Sequence, residues 1–166
     1  MNLPVAVEAV SQTANRIIQL ASFELDNEEY GVDVLTVREI IRMPSITKMP
    51  NTPDYVEGII NLRGTVVPII SLRRRFGLCE RERDSRSRIL VMEVGSGMTG
   101  FIVDGVSEVI RIDSREIQPP PSVALSGGIS GEFITGVINH GERLLIVIEV
   151  ARMFSEDEQQ SFSGLQ

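Results

Sequence analysis

The stretch Gly31 to Arg42, GVDVLTVREIIR, lines up without gaps on Gly100 to Arg111, GFIVDGVSEVIR. Taken alone, the first copy is ambiguous. Its apolar residues Val32, Val34, Leu35, Val37, Ile40 and Ile41 fit a helix face as well as a bent strand. The second copy resolves the choice, because Phe101, Ile102, Val103, Val106, Val109 and Ile110 are mostly β-branched or aromatic and suit a pleated surface. Both copies are therefore predicted to be strand pairs.

The match continues downstream. Gly58, Ile59, Ile60 and Asn61 correspond to Gly136, Val137, Ile138 and Asn139, each followed by a turn glycine, Gly64 or Gly141, with one residue missing from the second turn. Val66 to Ile70 then matches Leu144 to Ile148, and SLRRRF (Ser71 to Phe76) matches EVARMF (Glu149 to Phe154). The last pair reads as short helical turns, each opened by a capping-type or acidic residue. Upstream, Ile17 to Leu25 is a predicted strand, with a turn at Asp26 to Glu29 and a second strand from near Tyr30, a hairpin pattern. The chain is thus an internal duplication of roughly sixty-odd residues with about five short strands per copy, an all-β pattern that favours two small barrels over one sandwich. Barrels also remove exposed sheet edges.

On this reading residues 16–155 form one domain, with a first barrel at about 17–80, a second at about 88–155, and a boundary that strand exchange can make discontinuous. Residues 1–15 and the tail 156–166 carry too little apolar surface to offset the entropy of ordering, and are expected to be mobile. The loop from Pro119 to Gly131 is expected to be exposed, because prolines lack amide donors and glycines are costly to order. Between the copies, Arg73 to Arg88 holds seven arginines interleaved with Glu80, Glu82 and Asp84, most simply a solvated linker.

Lys plus Arg number 16 against 23 for Asp plus Glu, a net charge of −7, which opposes binding to a phosphate backbone or an anionic membrane surface. A protein partner is expected, with no nucleic acid and no direct membrane contact. All the basic residues but Lys48 are Arg, whose planar fork suits polar protein interfaces. Cys79 is alone, so no disulfide can form within the chain, and a cytoplasmic setting is expected. The opening stretch lacks the charged start of a signal peptide, and no apolar run approaches membrane-spanning length.

Candidate chemistry is sparse. Gly95, Gly97 and Gly100 form G-x-G-x-x-G after a strand, but the β-like run FIVDGVSEVIRI follows where a phosphate-cradling loop needs a helix; a hairpin turn is the better reading. His140 is the only histidine, so no histidine cluster can hold a metal, and no cofactor is expected. Carboxylates recur at similar places in the copies, Asp33 and Asp104, Glu39 and Glu108, as duplication of a structural role would give. Neither a nucleophile with its base nor a cofactor loop accompanies them, so the chain is read as no enzyme. The alternative of a β-barrel that grips nucleic acid through the arginine segment meets three interrupting acids and only one aromatic residue, Phe76.

The phrase Val56 to Leu72, VEGIINLRGTVVPIISL, resembles the NLRG strand-turn-strand of CheW-like domains, with Pro68 where that family often has proline. VREII (Val37 to Ile41) and FIVDGVSEVI (Phe101 to Ile110) resemble further segments of it, in consistent order from Ile17 to Phe154. The family's usual Asp after the NLRG hairpin is here Ser71, and Glu149 at the matching second position. The resemblance implies two SH3-like five-stranded barrels side by side, and a non-catalytic adaptor that couples the cytoplasmic tips of chemoreceptors to the regulatory domain of a CheA-type histidine kinase. It implies a receptor-facing surface at Val37, Glu39, Asn61, Arg63 and Gly64, a kinase-facing surface at Val106 and Val109, and recruitment to membrane receptor arrays through protein partners alone.

Overall fold

A computed structural model describes residues 16–121, 133–155 and 158. The segments expected to be mobile, 1–15 and 156–166, and the loop from Pro119 to Gly131 lie outside the described residues, apart from Pro119 to Pro121 and Glu158. In chain order the elements are β1 (Ile17–Leu25), β2 (Glu28–Asp33), a 3-10 turn (Val34–Thr36), β3 (Val37–Arg42), β4 (Val56–Leu62), β5 (Thr65–Ser71), helix α1 (Leu72–Arg75), β6 (Arg88–Val94), β7 (Gly97–Val103), β8 (Gly105–Asp113), a 3-10 turn (Ser114–Glu116), β9 (Ile134–His140), β10 (Arg143–Ile148) and a 3-10 turn (Val150–Met153).

The strands form two five-stranded sheets, in the orders β8-β1-β2-β10-β9 and β3-β6-β7-β5-β4. Each sheet combines the first two strands of one copy of the duplication with the last three strands of the other. Division at residues 80 and 88 is therefore not the division between sheets. The physical reason lies in the repeated phrase itself. Each copy of it carries the chain from one sheet to the other, so β2 and β3, like β7 and β8, are consecutive strands that do not pair.

The exchange is sealed by parallel pairing, β10 on β2 and β5 on β7. There the phrase's leading glycine leaves room for the facing side chains: a Cβ on Gly31 would lie 2.9 Å from Leu145 Cδ2, and one on Gly100 2.6 Å from Ile69 Cδ1. Each sheet then curls until its far edges meet. Thr47, beyond β3, exchanges backbone hydrogen bonds with Ile59 of β4 (2.9 and 2.8 Å), and Gln118, beyond β8, does so with Val137 of β9 (2.9 and 2.8 Å).

Strand alternation explains the uninterrupted apolar runs. In β6, Ile89 and Val91 enter their own barrel's interior with Val67 and Ile69, while Leu90 and Met92 face a larger core shared with the other barrel. In β1 and β10, Leu20, Leu145 and Val147 fill the second barrel, built on β8-β1-β2-β10-β9, and Ala21, Phe23 and Ile148 enter the shared core. Strands buried on both faces read as continuous hydrophobic sequence. The shared core makes the barrels one folding unit.

Turn details refine the sequence reading. Asp26 and Asn27, at φ 55° and 66°, alone make the first hairpin turn, so β2 starts two residues before Tyr30. No residue is missing from the second NLRG-type turn: pairing of Leu62 with Thr65 and of His140 with Arg143 leaves two-residue loops in both, and glycine has moved from the second place to the first. The glycine motif is a hairpin turn, with Val94 paired to Gly97 and Gly95 at φ 64°. Ser71 caps α1, its Oγ accepting from the Arg74 amide at 3.3 Å, whereas Glu149 makes no such cap and instead pairs with Arg152 at 3.1 Å. Within the tail, Glu158 is anchored by accepting the Tyr55 hydroxyl hydrogen; burial and this bond push the Tyr55 hydroxyl up to about 12.

Candidate functional site

Arg63 and Gly64 form the loop between β4 and β5 at φ 51° and 90°, the primed geometry that matches hairpin twist. Asn61 Oδ1 accepts from the Gly64 amide at 2.7 Å and steadies an arginine in a backbone region that β-branched residues avoid. The loop turns Arg63 onto Glu39 of β3, at the opposite edge of the same sheet, which the curl of the barrel brings near. Arg63 Nη1 donates to Glu39 Oε2 at 3.1 Å and Nη2 donates to Oε1, a two-bond fork. The bond from Arg63 holds the Glu39 carboxyl below its ordinary range, and Glu39 raises Arg63. The Arg63 side chain is 71% exposed, so the pair contributes little to stability and is displayed to solvent.

Asn61, Arg63, Gly64 and Glu39 are thus brought together, but Val37 is not among them. A bulge in β3 pairs Val37 with Met92 and Glu39 with Val91. Cross-strand partners share a face, so Val37 points to the shared core with Met92, while Glu39 points to the Arg63 side. The same bulge puts Ile40, opposite Leu90, on the Val37 face, where it is 44% exposed. In β8 an equivalent bulge pairs Val106 with Phe23 and Val109 with Ala21. Val106 packs on the shared core, and Val109, 53% exposed, stands at its rim. Ile40 is the duplicate of Val109; the alignment of the two copies is the signal that could have added it to the candidate surface.

Val37 also adjoins a groove between the sheets, at the passage from β2 to β3, lined by Val32, Asp33, Thr36, Met92, Glu93, Ile148 and Ala151 among others. Arg38 pairs with Glu93 at its edge, and Asp33 caps the 3-10 turn, accepting from the Leu35 amide at 2.9 Å. Leu35 itself is 81% exposed. In the second barrel Glu108 lies 3.4 Å from His140 Nε2, and Gly141 stands where the first barrel has Arg63.

The arginine segment is exposed over residues 79–86, as a linker would be, but its arginines are paired. Arg73, 8% exposed, bonds to Asp104; Arg74 to Glu80; Arg81 lies 3.5 Å from Asp104; Arg83 reaches Glu57 at 3.0 Å; and Arg86 pairs with Glu24. Arg75 stacks over Tyr55 and Phe154 at 4.8 and 5.0 Å, and Arg88 donates to the carbonyls of Ser85 and Ser87. These guanidinium groups are engaged by the protein's own acids, carbonyls and rings; of the acids, Asp104, Glu57 and Glu24 are distant in sequence and Glu80 is within the segment. A phosphate grip needs cationic groups left over for the ligand.

Residues 19–158 match the family described as the CheW-like domain. The chain is 39% identical over 136 residues to the chemotaxis protein CheW of Klebsiella aerogenes, covering 82% of this chain and 81% of that one. It is 37% identical over 151 residues to that of Treponema pallidum, covering 89% and 88%. Among solved structures, the scaffolding protein TtCheW from Thermoanaerobacter tengcongensis superposes with a TM-score of 0.76 at 39% identity, over 83% of this chain and 92% of that one.

Proposed function

The chain belongs to the CheW-like domain family, and on that footing we propose that it is a non-catalytic scaffold of chemotaxis signalling, coupling chemoreceptor tips to a CheA-type histidine kinase. The observation that carries the proposal is the duplicated rim. Val37 with Ile40 on β3, and Val106 with Val109 on β8, present matching apolar edges on two different barrels that the shared core holds as one body. A coupling protein needs two separate docking faces on a rigid frame, each with an apolar centre and a polar border.

The receptor tip is assigned to the first barrel, at Val37 beside the groove and at Glu39, Asn61, Arg63 and Gly64 on the opposite face of β3. The kinase regulatory domain is assigned to the second, at Val106 and Val109. Both partners are proteins; nucleic acid and lipid are not. The chain works in the cytoplasm and reaches the membrane array through its partners.

Reconstitution tests the coupling role. Receptor signalling fragment, kinase and chain are combined, and kinase phosphorylation is followed with and without the chain. Receptor control of the kinase that depends on the chain is the expected result; absence of binding to the kinase regulatory domain, with no change in phosphorylation, would remove the proposal.

A further inference from the structure

The chain passes between the sheets twice, from β2 to β3 through Val34–Thr36 and from β7 to β8 through Asp104. Duplication makes the two junctions equivalent, yet they are built differently. At the second, Arg73 commits its whole guanidinium. Nε donates to Asp104 Oδ1 at 3.1 Å, Nη2 to Asp104 Oδ2 at 2.7 Å and to Asp26 Oδ1 at 3.4 Å, and Nη1 to the Cys79 carbonyl at 2.6 Å. Asp104 Oδ2 also accepts from the Asp26 amide at 2.8 Å. Arg73 extends from the helix that ends β5 in one sheet, Asp26 sits in the β1–β2 turn of the other, and Asp104 is the crossing residue between them.

At the first junction the residues matching Arg73, Asp104 and Asp26 are Ala151, Leu35 and Gly95. None is charged, and the groove beside Ala151 is open. The same interface therefore packs without a clamp on one side and with one on the other, so barrel formation does not itself require the clamp. A buried arginine fork adds geometry more dependably than net stability, because desolvation offsets much of its attraction.

We propose that Arg73 is a positioning residue that locks the angle between the two barrels at the closed junction and thereby fixes the width of the groove at the open one. Docking in that groove follows from the scaffold role proposed above, whereas the inter-barrel angle belongs to the chain alone, so the two can fail separately.

The test places spin labels on the exposed, equivalent strand positions Arg42 and Arg111, one per barrel, in a Cys79→Ser background that keeps the carbonyl Arg73 uses. Distance distributions are measured by pulsed electron resonance, with circular dichroism to verify folding. A narrow distribution that broadens or splits in folded Arg73→Gln is expected, together with loss of receptor-tip affinity although no groove residue has changed. An unchanged distribution overturns the assignment, since mere stabilisation would lower the melting temperature without altering the folded population's geometry. If Arg73→Gln does not fold, Asp26→Gly, which removes only the carboxylate arm and suits the φ of 55° at that turn position, takes its place with the same two outcomes.

Discussion

Two arginines of similar appearance in the sequence do opposite work. Arg63 is displayed and Arg73 is buried, so their substitutions separate docking from stability. Arg63→Glu sets two carboxylates against each other at the turn; it should weaken receptor-tip capture while changing unfolding free energy by no more than about 0.5 kcal/mol, as is usual for surface positions. Pull-down and thermal melts on the same sample check both. Asp104→Asn leaves Arg73 short of its charged partner, and should cost about 3 kcal/mol in denaturant unfolding at neutral pH. Burial pushes the Asp104 carboxyl up, but the bonds from Arg73 and the Asp26 amide, with the charges of Arg73 and Arg81, outweigh it and hold it below its ordinary 3.8. The stability it supplies is therefore present above that value and is lost as pH falls through it toward the depressed one. The gap between parent and Asp104→Asn should accordingly narrow only in that acid range, and a gap that stays constant there would contradict the assignment. The NLRG turn was legible in the sequence because turn chemistry is local. The task of Arg73 was not, because its acids lie 31 and 47 positions away, and a run of mixed charge looks solvated until its partners are located.

At the scale of elements, the closing bridges and the parallel pairs make unequal demands on their glycines. A Cβ on Gly58 would sit 2.1 Å from the Thr47 carbonyl oxygen, in a backbone at φ 152°, whereas one on Gly100 meets only the side-chain ends of Ile69 and Ile89. Backbone cannot give way as a methyl can. Gly58→Ala should thus cost more than Gly100→Ala, with the former above about 2 kcal/mol, as measured by urea unfolding; the reverse order would mean that the Thr47 segment is not held against β4. The strands themselves were readable from β-rich residue types and from the repeated phrase. Their assignment to sheets was hidden, because a strand buried on both faces carries the same apolar run whichever sheet receives it. The bulges of β3 and β8 were hidden too, and they decide that Val37 and Glu39 face apart.

For the whole molecule, exchange of strands means that neither half of the duplication contains a complete barrel. Fragments 16–80 and 88–155 should each be unfolded when alone and should regain β-type circular dichroism when mixed. A fragment that folds cooperatively by itself would show that the two copies are separable units. The Arg73 network and the shared core act on this scale as well, since both join pieces that the linear order keeps apart. The duplication and the preference for two barrels over a sandwich were accessible in the sequence, because repeats and regular strand spacing leave periodic traces, whereas the SH3-like type came with the family resemblance. The swap left none, since it depends on contacts between β1–β2 and β8–β10.

The interleaving also sets a timetable for synthesis. The sheet containing β3 to β7 can be completed once Val103 has left the ribosome, but β1 and β2, the first strands made, have no finished sheet to join until β10 ends at Ile148. The nascent polypeptide must therefore carry an unhoused apolar hairpin through most of its translation, the period in which an exposed strand is most open to chaperones and to aggregation.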